Sequence, residues 1–174
     1  YPLIAVTTTA GTGSECTMDY VVVDEEKNEK YGNSDRNVLP VLAVDDWELM
    51  MNMPASLTAG TGMDALTHAV EAYMSVDGAL ITSELAATAV RMVFKHLERA
   101  VLQPDEESRE GMAVAQFIAG LAFGNAGCGL IHSMSHQLSA VYDLPHGLCN
   151  ALLMPTASRL NMQDERAMER YAKL

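Results

Sequence analysis

From Gly111 to Gln137 the chain carries no Asp, Glu, Lys or Arg. A stretch that long without charge either crosses a bilayer or is wrapped by other elements of a folded core. Gln116 and Asn125 interrupt it, and Gly124, Gly127 and Gly129 predict that a helix stops after Phe123, leaving too short a run to span a membrane. The expectation is therefore a helix buried on all sides, in a chain whose 174 residues suffice for a real core.

Histidines sit inside this apolar material. His132 and His136 are spaced i, i+4 in Ile131-His132-Ser133-Met134-Ser135-His136, and His146 follows in Leu144-Pro145-His146-Gly147. Upstream, Asp64 and His68 have the same spacing in Gly62-Met63-Asp64-Ala65-Leu66-Thr67-His68, so on a helix both project from one face and can grip a single ion. Four of the five histidines fall in these clusters. One carboxylate with neutral imidazoles suits iron(II), zinc, manganese or nickel, and leaves a divalent site near +1, which favours an oxyanion. The remaining histidine, His96 in Phe94-Lys95-His96-Leu97-Glu98, reads as part of a solvated helix face.

A net charge of −12 argues against nucleic acid or an anionic membrane surface as partner and points to small molecules and cations. Cys16, Cys128 and Cys149 are widely separated and form no Cys-x-x-Cys pair, which argues against a disulfide framework or a thiolate metal site and fits a reducing cytoplasm. No secretory signal pattern opens the chain.

The beginning is β-rich: Leu3 to Val6 after Tyr1-Pro2, then Tyr20 to Val23, then Val41 to Val44. Everything after Asp46 reads as helix, with starts at Pro54, near Thr82, at Asp105–Ser108, around His132 and after Pro145. Residues 164–174 keep an amphipathic rhythm, and neither end looks like a domain end. The predicted organisation is an α/β segment over residues 1–46 followed by a mainly α-helical domain over 47–174, incomplete at both ends, with a ligand cleft at the junction.

Between the first two strands, Thr7-Thr8-Thr9-Ala10-Gly11-Thr12-Gly13-Ser14-Glu15 offers hydroxyls and backbone N–H groups suited to a phosphate or amide, without a Walker or Gly-x-Gly-x-x-Gly spacing. Together with Gly62 to Tyr73, the paired His132 and His136, and Asp143-Leu144-Pro145-His146-Gly147, this turn resembles the iron-containing (group III) alcohol dehydrogenases, in the family's order over almost the whole chain. Dehydroquinate-synthase-like and glycerol-dehydrogenase-like zinc enzymes share the broad architecture but match these motifs less closely.

The resemblance implies Asp64, His68, His132 and His146 as ligands of iron(II), with zinc as the competing occupant. It implies His136 as a non-ligand histidine beside the substrate, and the expected route for the proton is His136 or a ribose hydroxyl. It further implies Thr8, Thr9, Thr12 and Lys30 as contacts of NAD or NADP. The family's upstream Gly-Gly-Gly-Ser phosphate loop is not in this chain, so only part of a cofactor site is expected. The implied chemistry is hydride transfer between a primary or secondary alcohol or aldehyde and the nicotinamide, the metal polarising the alcohol oxygen, in a cytoplasmic homo-oligomer. The alternatives are a metal-dependent hydrolase using Glu71 as general base and a helical assembly module with a structural metal.

Overall fold

The computed structural model describes residues 2–27 and 29–174, so the entry into the first strand at Tyr1 lies outside the described residues. The β-rich start holds two separate pairs. β1 (Ile4–Val6) lies parallel to β4 (Leu42–Val44), in register Ile4↔Leu42 to Val6↔Val44. β2 (Asp19–Asp24) and β3 (Glu29–Ser34) form an antiparallel hairpin, Asp19 opposite Ser34 and Asp24 opposite Glu29. The polar β3 carries no alternating apolar signal and was not expected; hydrogen bonding to the valine-rich β2 makes it a strand.

Among the described residues six α-helices follow: α1 (Ala55–Met74), α2 (Leu80–Leu102), α3 (Glu106–Ala126), α4 (Leu130–Tyr142), α5 (His146–Asn161) and α6 (Glu165–Lys173). α1 contacts each of the other five, and every residue from Asp64 to Ala72 is buried, which explains its weak amphipathicity. Its neighbours approach closely through small side chains: Ala65 and Ala69 of α1, Ala89 of α2, and Ala115 and Ala119 of α3 are fully buried. Local chemistry sets the helix ends. Asp105 and Ser108 form a reciprocal capping box at the start of α3, each backbone N–H donating over 3.0 Å to the other's side chain. Arg170 of α6 donates to the terminal Tyr73 carbonyl of α1 while its guanidinium lies 4.3 Å over the Tyr73 ring.

The uncharged stretch is resolved as two helices. α3 ends not at Phe123 but at Ala126, because Gly124 packs against Thr17 inside the helix and only Gly127, with φ 78°, turns the chain. α4 then leaves at a bend of 104°, and among the described residues no single helix is long and apolar enough to cross a membrane. Expected exposure fails at His96, which is 7% exposed: Gly111 on the facing α3 leaves room for its ring, and a Cβ there would run into the imidazole.

Candidate metal centre

The bend aims α4 back at α1, and α5 closes the corner. Asp64 and His68 project from one buried face of α1 as the i, i+4 spacing predicts. Asp64 Oδ1 lies 3.4 Å from His132 Nε2, 3.3 Å from His146 Nε2 and 3.9 Å from His68 Nδ1. Ligand atoms of Asp64, His132 and His146 all fall within 4.8 Å of one another. His68 stands beside them, its ring stacked at 4.3 Å on His132 and at 4.1 Å on Phe123. His146 reaches the corner because it begins α5, where Gly147 presses its backbone onto α1; a Cβ at Gly147 would collide with the Gly60 carbonyl.

Two residues that the sequence did not single out as supports hold these donors. Glu71, one turn past His68 on α1, accepts from His132 Nδ1 at 2.6 Å and from the Ile131 and His132 backbone N–H groups at 2.5 and 3.4 Å. It fixes the tautomer that leaves Nε2 facing Asp64. Its oxygens are buried and committed to α4, which argues against the alternative in which Glu71 serves as a hydrolytic base. Asn150, one turn into α5, donates from Nδ2 to Asp64 Oδ1 at 2.7 Å.

Electrostatics match a cation site. Burial alone would raise the Asp64 carboxyl, but His68, His132 and His146 outweigh it and hold it well below the usual carboxylate range. Burial pushes His68 down to about 4. His132 is buried too, yet hydrogen bonds with Asp64, Cys128 and Glu71 push it up to about 12, so this corner favours positive charge. His68 Nδ1 is buried without any hydrogen-bond partner. A lone pair left bare in a core is costly, and an ion shared with Asp64 would satisfy it. The residues present therefore fit a divalent ion with one oxygen and three nitrogen donors.

His136 lies one turn beyond His132, half-buried, with its ring 6.0 Å from that of His132 and 5.1 Å from that of His146. Thr8, Thr9 and Thr12 line a polar cleft of about 170 Å³ together with Ala5, Gly13 and Glu15. Lys30 on β3 donates from Nζ to Ser139 Oγ on α4 at 2.6 Å, which ties the hairpin to the helix bearing His132 and His136. The threonine turn is fastened to α3: Gln116 Nε2 donates to Glu15 at 2.7 Å and Asp45 at 3.4 Å, and Gly13 packs directly on Gly120. Gln116, one of the two polar residues that interrupt the apolar run, is thus fully buried and has a job there.

A small parallel α/β element, a helical unit and a buried carboxylate–imidazole cluster between α1, α4 and α5 define the class as an α/β and helical architecture with a metal-type donor set. The chain belongs to the iron-containing alcohol dehydrogenase family. Residues 58–174 match the model of the Fe-containing alcohol dehydrogenase family, C-terminal, and residues 1–47 match that of iron-containing alcohol dehydrogenase. Alcohol dehydrogenase 4 of Schizosaccharomyces pombe is 48% identical over 99% of the chain and 41% of the relative. The NAD-dependent methanol dehydrogenase of Bacillus methanolicus is 45% identical over 92% of the chain and 42% of its own length. Among solved structures, a 1,3-propanediol oxidoreductase superposes with a TM-score of 0.89 at 46% identity, over 92% of this chain and 42% of that one. An archaeal halo-thermophilic alcohol dehydrogenase from a Red Sea brine pool gives 0.94 at 34% identity, over 98% and 43%. The chain thus spans less than half the length of these relatives.

Proposed function

We propose that the intact protein is a metal-dependent alcohol dehydrogenase, transferring hydride between a primary or secondary alcohol or aldehyde and NAD or NADP. The observation that carries this reading is the convergence of Asp64, His132 and His146, with His68 stacked alongside, in a chain of this family. Asp64, His68, His132 and His146 would hold iron(II), with zinc as competitor, and Thr8, Thr9, Thr12 and Lys30 would contact the dinucleotide. When bound, the metal supplies Lewis-acid polarisation of the alcohol oxygen and the nicotinamide supplies a hydride acceptor.

The chain's own residues do the rest. Glu71 orients His132 and Asn150 orients Asp64, so the donors need little reorganisation. Phe123, stacked on His68, shields that side of the corner from water. His136, near His146 but held by neither Asp64 nor Glu71, would carry the alcohol proton away. The Gln116 bridge keeps the threonine turn in fixed relation to α3 and, through the bend, to α4.

Residues 1–46 would belong to a dinucleotide-binding α/β domain and 47–174 to a metal-binding helical domain. The exposed apolar side chains of the parallel pair, Ile4, Val6, Leu42 and Val44, support this reading, since parallel strands are ordinarily covered on both faces. The same reading makes the protein a cytoplasmic homo-oligomer that binds neither nucleic acid nor membrane. The test is nicotinamide reduction with short primary and secondary alcohols by iron-loaded intact protein, run with NAD and NADP in turn. Activity that disappears in Asp64→Asn supports the reading, and iron-loaded, folded protein inert towards every alcohol and aldehyde tried overturns it.

A further inference from the structure

A second donor cluster shares His68 and His132 with this corner, and its third member, Cys128, has no part in the scheme above. Cys128 sits in the turn between α3 and α4, between Gly127 and Gly129, with an exposed side chain. Its Sγ and one ring nitrogen from each of His68 and His132 all lie within 4.8 Å of one another. Both histidines are buried, and His68 Nδ1 has no hydrogen-bond partner. The sequence argued against a thiolate metal site because Cys128 has no cysteine nearby in the chain; what the fold supplies instead is a pair of imidazoles from α1 and α4.

We propose that Cys128 is a further donor to the metal centre, a thiolate that completes a sulfur and two-nitrogen face with His68 and His132 and biases the site towards zinc or cobalt over iron. The proposal rests on the metal site described under Proposed function and adds to it the soft ligand. Distances permit it. Zinc–sulfur and zinc–nitrogen bonds of about 2.3 and 2.0–2.1 Å set sulfur–nitrogen separations of roughly 3.1–3.8 Å between neighbouring donors of a five-donor ion. Donor atoms already within 4.8 Å of one another therefore have to close by no more than about 1–2 Å, within reach of a rotamer change at an exposed cysteine. The thiol proton passes to solvent as the sulfur–metal bond forms, and no electron transfer is involved.

Chemistry gives the consequences. Thiolate ligation selects zinc and related thiophilic ions, which a purely oxygen and nitrogen set does not. One more negative charge beside Asp64 brings a divalent site from near +1 to near neutral. A sulfur bound at the ion would occupy part of the coordination sphere that an incoming oxygen ligand needs, so the sulfur and the alcohol would compete for the same ion. The expected signature is a site that binds zinc tightly and yields to substrate only when the sulfur leaves.

Cobalt(II) reads this directly. Metal-free intact protein reconstituted with cobalt should show visible ligand-field bands together with a near-ultraviolet thiolate-to-cobalt charge-transfer band. Cys128→Ser should keep the ligand-field bands and lose the charge-transfer band. Cys16→Ser should keep both, because Cys16 packs against α3 and donates to the Gly13 carbonyl. Ligand-field bands without charge transfer in the parent, or a charge-transfer band that survives in Cys128→Ser, overturn the proposal while leaving the Asp64 site standing. Failure to take up cobalt at all overturns both.

Discussion

Glu71→Gln keeps the size of the side chain and removes only its charge and one acceptor. In the structure the two carboxylate oxygens serve three N–H groups, His132 Nδ1 at 2.6 Å, Ile131 N at 2.5 Å and His132 N at 3.4 Å. A carboxamide has one oxygen, and its NH2 faces a donor, so at least one of those N–H groups loses its partner. Leaving a buried donor unsatisfied costs about 1–3 kcal/mol, which should appear as a lower melting temperature of the metal-free protein. The ring of His132 is also freed to turn and to change tautomer. Loss of such an orienting carboxylate typically costs about 10–100-fold in metal affinity, or roughly 1.4–2.7 kcal/mol. Competition against a chromogenic chelator measures this. Glu71→Asp, which keeps the charge but shortens the reach, should fall between parent and Glu71→Gln. Unchanged affinity in Glu71→Gln, with the fold intact by circular dichroism, would refute the orienting role.

Further outcomes are expected elsewhere. Gly147→Ala should push α5 away from the Gly60 carbonyl, costing about 1–3 kcal/mol of stability by overpacking. It should also weaken metal binding through displacement of His146; a variant that binds metal as tightly as the parent would contradict that. His136→Ala should slow turnover about 10²–10⁴-fold and change the shape of the pH–rate profile, and a normal profile would remove His136 from the proton path. Burial, together with the Asp45 charge and against its backbone and Gln116 hydrogen bonds, raises the Glu15 carboxyl above its ordinary 4.5. A raised acid contributes stability that is complete below the unfolded value and is lost as pH rises through the folded one. Glu15→Gln should therefore gain in melting temperature relative to the parent as pH rises above the ordinary 4.5, and a difference that does not change with pH there would show that burial does not govern Glu15.

Much of this site is written locally. The i, i+4 spacing of Asp64 and His68 survives folding because both lie on one uninterrupted helix, and Pro145-His146-Gly147 is a helix start in the structure as in the sequence. What the sequence does not disclose comes from the opposing surface. Glu71 looks like any helical glutamate until α4 presents its first-turn N–H groups to it. Asn150 acquires a role only because α5 crosses Asp64. His96 has Lys95 and Glu98 beside it in the chain, and its burial is decided by the missing side chain of Gly111, on another helix. β3 is a strand through its pairing with β2 and not through its own polar composition. Cys128 reads as a lone thiol until the bend between α3 and α4 brings it to His68 and His132.

The central claim is that one ion is shared by Asp64, His68, His132 and His146. Anomalous X-ray diffraction at the iron and zinc edges, on anaerobically prepared crystals of the intact protein, tests it most directly. The account predicts a strong peak at the corner between α1, α4 and α5, bonded to Asp64 and the three histidines. A well-ordered corner with no peak after iron or zinc loading, or a peak that leaves out Asp64, would contradict it.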